Sequence, residues 1–389
     1  MIVTHLSLTD FRNYREAEVA FEPGPNLVVG SNGQGKTNLV EAIAYLSTLG
    51  SHRVAGDQPL IRSGCDAAVI RARLRHDDRE VLVEAQLNRG AANRAQVNRA
   101  AIKPRELPRY AATVVFAPED LAIVRGDPAG RRRLLDELLV QTTPRLAGVL
   151  ADYERVVRQR STLLKSARAA RVAEDGLSTL DVWDDRLVEL GTEIIVARLG
   201  LVDRLRPQVA AAYREVAGPE HAVDLAMRLS ILGADDEDAT ATDATTDSAD
   251  AAQVRERFRA ALASVRRAEL DRGLSLVGPH RDDLLLTLNT LPARGYASHG
   301  ESWSFALSLK LASAAVLRAE STLGDPVLIL DDVFAELDEG RRSRLASAIA
   351  GYEQVLITAA VFDDVPDPLR GRVTRIRAGE VVDEGGEET

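Results

Sequence analysis

Residues 26–46 read NLVVGSNGQGKTNLVEAIAYL. NLVV is a short apolar run of strand type, whereas Leu39, Ile43 and Leu46 recur at helical spacing. Between them GSNGQGKT, residues 30–37, matches G-x-x-x-x-G-K-[ST] in the strand–loop–helix setting that its chemistry needs. Glycines let backbone N–H groups converge on phosphate oxygens, and the following helix turns its positive end toward them. Gly30, Ser31, Asn32, Gly33, Gln34, Gly35, Lys36 and Thr37 are therefore the candidate ATP contacts. Lys36 is placed to reach the β- and γ-phosphates, and the Thr37 hydroxyl to hold Mg²⁺. Only four lysines occur in the chain, so a chance match is rare.

Such a loop leaves the metal and the attacking water unheld, and a strand ending in a carboxylate must complete it. VLILDD, residues 327–332, supplies one. Asp331 is the expected Mg²⁺ partner, and Asp332 the expected base or water-positioning group beside Lys36. Alone, this segment would read as a strand followed by an acidic turn; its pairing with the loop decides otherwise.

Upstream, Ser298 and Glu301 have capping-box spacing at the head of a helix carrying Phe305, Leu309 and Ala312 on one face. A well-capped helix is the plain explanation. Lying 33 residues before Asp331, however, Ser298-His299-Gly300-Glu301 resembles the signature motif of ABC-type ATPases. In that class a serine and a glycine at a helix N-terminus contact the γ-phosphate bound by the other subunit, which here implies Ser298 and Gly300. Residues 335–338, AELD, resemble the D-loop of the same class, with Asp338 as its acid.

Elsewhere, alternation over residues 67–87 predicts a β-hairpin turned at 76–79, and ATVVFAPEDL a strand ended by Pro118. Long helices are expected from about 130 to 216 and over 252–268, with strands near 274–277 and 284–288. Helix and strand then alternate to the end, the pattern of an α/β sheet core. The expected fold is thus α/β, an ABC-type P-loop ATPase head with a mixed sheet core and β-rich lobe, interrupted by an α-helical arm. Residues 1–125 and 273–389 make the halves of the head and 126–272 the arm.

At 389 residues the chain is long enough for two or three lobes. No apolar run approaches membrane-spanning length, no secretory signal pattern opens the chain, and one cysteine permits no internal disulfide. A cytoplasmic protein with no membrane role is expected. The net charge of −10 argues against nucleic acid only at first sight. Residues 234–250 carry seven acids and 380–389 five more, leaving the remainder near +2; the first stretch reads as disordered.

The blocks HLSLTDFRNY (5–14), GSNGQGKTNLVEAI, TLGSHR (48–53), VFAPEDLAIVRGDPAGRRRLLDELLVQTTP (115–144), LVGPHRDDL (276–284) and VLILDDVFAELD resemble the RecF family of bacterial recombination-mediator ATPases. The resemblance spans nearly the whole chain and implies a weak, DNA-associated ATPase with ATP and Mg²⁺ as cofactors. It implies an ATP-dependent homodimer on gapped DNA or single-strand/double-strand junctions in recombinational repair and replication restart. RecR and RecO are the implied partners, with RecA loaded indirectly and slow hydrolysis resetting the dimer.

By the same analogy Arg12 to Tyr14 lie near the adenine or ribose, although a strand-end turn explains them equally well. Candidate DNA contacts are Arg131, Arg132, Arg133 and Arg158, with Arg155, Arg160, Lys165, Arg168 and Arg171 behind them; the plain alternative is a solvated helix face. Aromatic content of 4% favours backbone contacts over base stacking. His280 and Arg281 could serve ATP, DNA or packing. Thr358 is the candidate γ-phosphate sensor where a transporter ATPase carries histidine, and Glu119 and Gln141 are candidates for the Q-loop role. A clamp or docking platform in which hydrolysis is incidental is the alternative; a transporter subunit is disfavoured.

Overall fold

The structure, a computed structural model, describes residues 1–54, 56–170, 178–233, 250–321 and 324–382. Strands β1 (Ile2–Phe11) and β2 (Tyr14–Ala20) form an antiparallel hairpin, and β3 (Gly24–Val29) leads through the glycine-rich loop into α1 (Lys36–Thr48). A second hairpin, β4 (Ala67–His76) and β5 (Arg79–Asn88), runs in register from Ala67↔Asn88 to His76↔Arg79, the turn expected from sequence. Next come β6 (Arg94–Val97), β7 (Ala100–Ile102) and β8 (Thr113–Phe116).

The helical stretch comprises α2 (Leu121–Arg125), α3 (Pro128–Thr142), α4 (Leu146–Ala170) and the 40-residue α5 (Ser178–Ala217). It continues through β9 (Val223–Arg228), α6 (Ala251–Arg272), β10 (Asp283–Leu288), β11 (Leu291–Pro292) and α7 (Ala293–Tyr296). The closing alternation is α8 (His299–Glu320), β12 (Val327–Asp331), α9 (Glu339–Ile349), β13 (Gln354–Ala359), β14 (Arg372–Arg377) and β15 (Glu380–Val382). None of the described helices is long and apolar enough to cross a membrane.

Contacts divide the chain into two compact units: Met1–Leu121 with Gln208–His221 and Ser298–Thr389, and Ala122–Pro207 with Ala222–Ala297. In the first unit, one six-stranded sheet has the order β2-β1-β4-β5-β6-β7 and the other β15-β14-β3-β13-β12-β8. In the second sheet β14, β3, β13, β12 and β8 are parallel and β15 is antiparallel. Helix α1 is buried nearly all round: Leu39, Val40, Ile43 and Leu46 share one core with Leu6, Leu8 and Ile70 of the antiparallel sheet and Val28, Ile329 and Leu356 of the parallel one. In an open parallel sheet, ligands sit beyond the carboxyl ends of the strands. The loop after β3, the aspartates after β12 and the end of β13 all gather at that edge.

In the second unit β9, β10 and β11 form an antiparallel sheet, and the helices are joined by buried ion pairs. Arg160 has no exposed surface; it donates to Asp184 at 2.6 Å, Glu269 at 2.5 Å and Ser275 Oγ at 2.8 Å. Arg198 grips Asp136 with two bonds of 2.8 Å.

The structure departs from the expected boundaries and elements in three places. Residues 273–297, expected in the head, belong with the helices because β10 pairs along its whole length with β9. Residues 208–221, the last turns of α5, instead group with the head, and the division falls beside the helix-interior Pro207. The strand expected at 274–277 does not form. Its backbone bonds to side chains instead: Ser275 O accepts from Arg281, and Leu276 N donates to Glu269 Oε1 at 2.8 Å. Of the acidic insert, 234–249 lies outside the described residues, whereas Asp250 caps α6 by accepting from Ala252 N at 3.0 Å.

Candidate nucleotide-binding site

The loop after β3 is braced from outside and open at its mouth. Ser31, Asn32 and Gly33 are exposed, while Lys36 is only 3% exposed. Gly33 and Gly35 have φ of +80° and +114°, conformations that other residues adopt at a cost. Gly35 is also hemmed in, since a Cβ there would lie 2.7 Å from Asn13 Nδ2 and 2.8 Å from Tyr14 Oη. Tyr14 Oη donates to Gly35 O at 3.0 Å and Asn13 Nδ2 to Gln34 O at 3.1 Å. From the other side Gly379 N donates to Gln34 O at 3.1 Å. No side chain caps α1 and no acidic residue stands in its first turn, so its N-terminus keeps the character of an anion site. Lys36 Nζ lies over the loop, 3.4 Å from Ser31 O.

Opposite, Asp331 is almost wholly buried at the end of β12. Its Oδ1 accepts from Thr37 at 2.9 Å and from Thr358 at 2.6 Å. Burial alone would raise its pKa; the His52 imidazole and the Thr358 and Thr37 hydroxyls outweigh burial and hold the carboxyl below its ordinary value. It is thus an anion before any cation arrives. Thr37 and Asp331 bring together two hard oxygen donors, one neutral and one charged, a set suited to Mg²⁺.

Asp332 has φ of +51°, unusual for a residue with a side chain. Its N–H donates to Thr358 Oγ1 at 3.0 Å and lies 3.3 Å from Thr358 O, which pins the turn. Burial raises the Asp332 carboxyl, Lys36 opposes and the Asp331 charge adds to the rise, so its direction is upward. Adjacent carboxylates driven apart in this way suit different tasks, one holding charge and the other exchanging a proton.

Thr358 therefore fixes both aspartates at once. Sequence assigned it only a sensor's part, because the β12–β13 register Asp331↔Thr358 is invisible in one dimension. His52 was missed altogether as a site residue. Its Nε2 stands 3.7 Å from Asp331 Oδ2, beyond hydrogen-bond length, and neither ring nitrogen has a hydrogen-bond partner among the described residues. The signal was the block TLGSHR itself, to which spacing attached no chemistry.

Arg12 takes an inward role. Its Nε and Nη2 bind Glu41 at 2.8 and 2.6 Å, and Nη1 donates to Pro59 O at 3.2 Å. The neighbours Asn13 and Tyr14, rather than Arg12, touch the loop.

In the same unit Ser298 caps α8 in a full capping box: Ser298 N donates to Glu301 Oε2 at 2.7 Å, and Glu301 N to Ser298 Oγ at 3.3 Å. Ser298 is exposed and Gly300 half-buried. Asp338 caps α9, accepting from Arg341 N at 2.8 Å. Glu119 follows β8 at the sheet edge that carries Asp331, whereas Gln141 lies on α3 in the other unit.

A family model described as RecF/RecN/SMC N terminal domain matches residues 2–364. A DNA replication and repair protein RecF of Leifsonia xyli subsp. xyli is 65% identical over 98% of this chain and 100% of its own length. The chain belongs to the RecF family. A solved structure of the recombination mediator protein RecF in the RecFOR pathway, RecF-ATPrS, superposes with a TM-score of 0.85 at 28% identity, covering 98% of this chain and 97% of that one. Its RecF-ATP counterpart gives 0.83 with 98% of each chain covered. An Smc head bound to the C-winged helix domain of ScpA, 14% identical, reaches 0.52 and shows the shared ABC-type head fold.

RecF-family membership does not place the expected DNA contacts, and the geometry revises them. Arg131 is 4% exposed and fully engaged: two bonds to Asp283 at 2.7 and 3.0 Å, and two to the Ile123 and Gly126 carbonyls at 3.0 Å. Arg160 is buried in its own ion pairs. Neither is available to a phosphate, because removing an arginine from a buried pair strands its carboxylate. Arg132 is half-buried and donates to Asp282 O at 2.8 Å. Arg133 and Arg158 are exposed, in i,i+4 pairs with Glu137 and Glu154, and Arg155 pairs with Asp152. Lys165 and Arg168 are exposed, and Arg171 lies outside the described residues. His280 Nδ1 meets Tyr153 Oη at 2.8 Å, and the exposed Arg281 donates to Ser275 O.

Proposed function

We propose that this protein is a slow, DNA-associated ATPase of recombinational repair and replication restart, dimerising around ATP at gapped or junction DNA. Hydrolysis then reopens the dimer. The observation that carries the reading is the cluster Thr37–Asp331–Thr358 across from a buried Lys36, with Asp332 beside it. The loop from Gly30 to Thr37 binds the phosphates, and Lys36 bears on the β- and γ-phosphates. Thr37 and Asp331 hold Mg²⁺, which when bound neutralises phosphate charge. Asp332 orients the attacking water and accepts its proton, a task its raised pKa favours. Ser298 and Gly300 complete the partner's site.

The geometric support for the trans arrangement is the exposed N-terminus of α8, whose capping hydroxyl faces solvent. RecF relatives solved with nucleotide support ATP as the ligand, and the RecFOR setting supports RecO and RecR as partners in loading RecA. The exposed Arg133 and Arg158 are the remaining candidates for DNA contact, and the cytoplasm is the place of action. The alternative, a clamp that ATP closes and whose hydrolysis is incidental, differs in one measurable respect. Size-exclusion chromatography with and without ATP, beside steady-state hydrolysis, tests both readings. Lys36→Ala is expected to lose dimerisation and hydrolysis; Asp332→Asn is expected to keep the dimer and slow hydrolysis about 100-fold. A wild-type chain monomeric in saturating ATP overturns both readings. An Asp332→Asn variant that loses hydrolysis yet binds and releases DNA as wild type does favours the clamp.

A further inference from the structure

Gly300 lies in α8 at an ordinary helical φ, so its backbone conformation does not require glycine. It has a close neighbour all the same: a Cβ at Gly300 would lie 2.6 Å from Arg341 Nη2, 3.1 Å from Nη1 and 3.2 Å from Cζ, so the end of the Arg341 side chain would have to give way. The Arg341 guanidinium occupies the space that a side chain on Gly300 would need. The same arginine is fixed at its other end to the acid that caps α9. Arg341 N donates to Asp338 Oδ1 at 2.8 Å and Nη1 to Asp338 Oδ2 at 2.7 Å. Its Nε is buried without a hydrogen-bond partner. A guanidinium ion-paired with Asp338 is thus held against the N-terminal turn of α8. Sequence gave no hint of this, since positions 300 and 341 are 41 residues apart.

We infer that Arg341 is a positioning residue of the signature turn, setting Ser298 and Gly300 for the γ-phosphate held by a second copy of this chain. The inference rests on the dimer reading above. Arg341 acts through Gly300, and because it is tied to Asp338, any displacement of α9's cap moves the signature turn with it. Its effect therefore falls on the partner's nucleotide and not on the one bound by its own loop.

That asymmetry makes the test. In Arg341→Ala the binding of a fluorescent ATP analogue to the monomer is expected to stay within about twofold of wild type, because the loop of the same chain is intact. ATP-driven dimerisation and hydrolysis are expected to fall about tenfold or more.

Mixing Arg341→Ala with Asp332→Asn is expected to raise turnover well above the sum of the two parts, because each mixed dimer joins one intact loop and Asp332 to one intact signature turn. Recovery also certifies that both chains fold. If Arg341→Ala proves unfolded, Arg341→Gln, which keeps the bond to Asp338 but loses the charge, takes its place in the mixture. An Arg341 variant that dimerises like wild type overturns the inference, as does a mixture no more active than its parts. Failure of wild type to dimerise with ATP would instead remove the dimer reading itself.

Discussion

Asp282 and His280 of the GPHRDD run are buried groups driven in opposite directions by one cause. Burial raises Asp282 to about 6, against the bonds from Ser230 and the charges of Arg198 and Arg132. Burial lowers His280 to about 4, with the Ser275 carbonyl opposing and Arg281, Arg132 and Arg160 assisting. His280, depressed in the fold, supports stability above its ordinary value of 6.5 and loses that support as pH falls toward 4. Asp282, raised in the fold, contributes fully below its ordinary 3.8 and loses that contribution as pH rises through 6. Over pH 4 to 6.5 the two slopes oppose. Asp282→Asn should therefore make stability fall more steeply between pH 7 and 4.5 than in wild type, by on the order of 2 kcal/mol. Urea midpoints at the two pH values check this; parallel profiles would show that the pair is not balanced.

The first turn of the chain is tied to α1 by one ion pair. Glu41 is wholly buried in α1 and accepts two bonds from Arg12, whose own φ is +53°, and one from Ser51. The pair stations the β1–β2 turn so that Asn13 and Tyr14 meet the phosphate loop. Arg12→Ala leaves the buried carboxylate with only the Ser51 hydroxyl and the long 4.0 Å pair to Arg53, and the expected loss is about 3 kcal/mol in chemical denaturation. Loss below about 1 kcal/mol would mean that Glu41 simply takes up a proton or another partner. Arg12→Lys should recover only part, because an ammonium cannot reproduce the two parallel bonds.

Across the molecule, charge is divided unevenly along the chain. Twelve acids lie in residues 234–250 and 380–389, and the rest is near +2. If DNA phosphates meet that remainder, the acidic stretches oppose the encounter over about 10 Å at 0.1 M salt. Deleting residues 234–249 should tighten binding to gapped DNA about three- to tenfold at low salt, with the gain vanishing near 0.5 M. Fluorescence anisotropy across a salt series reads this directly. A gain that persists at high salt would point to displacement of a specific contact.

Legibility followed the distance over which each signal acts. The phosphate loop, the strand that ends in Asp331 and Asp332, the capping box at Ser298 and the hairpin at 67–88 were readable because each is written within about two dozen neighbouring residues. The arginines misled for the converse reason: Arg131 and Arg160 look like solvated helix charges until Asp283 and Glu269, more than a hundred residues away, are folded against them. Thr358 owes its hold on both aspartates to parallel strand register, and His52 reaches Asp331 only through the fold. Arg341 gains its place over Gly300 only because the fold brings the first turns of α8 and α9 together. Sequence by itself determined the chemistry available, a phosphate cradle and two carboxylates, since glycine spacing and strand patterning are local. Tertiary structure alone decided which charges are free, which are neutralised inside, and which residues set the geometry, because buried pairs and strand register exist only between segments distant in the chain.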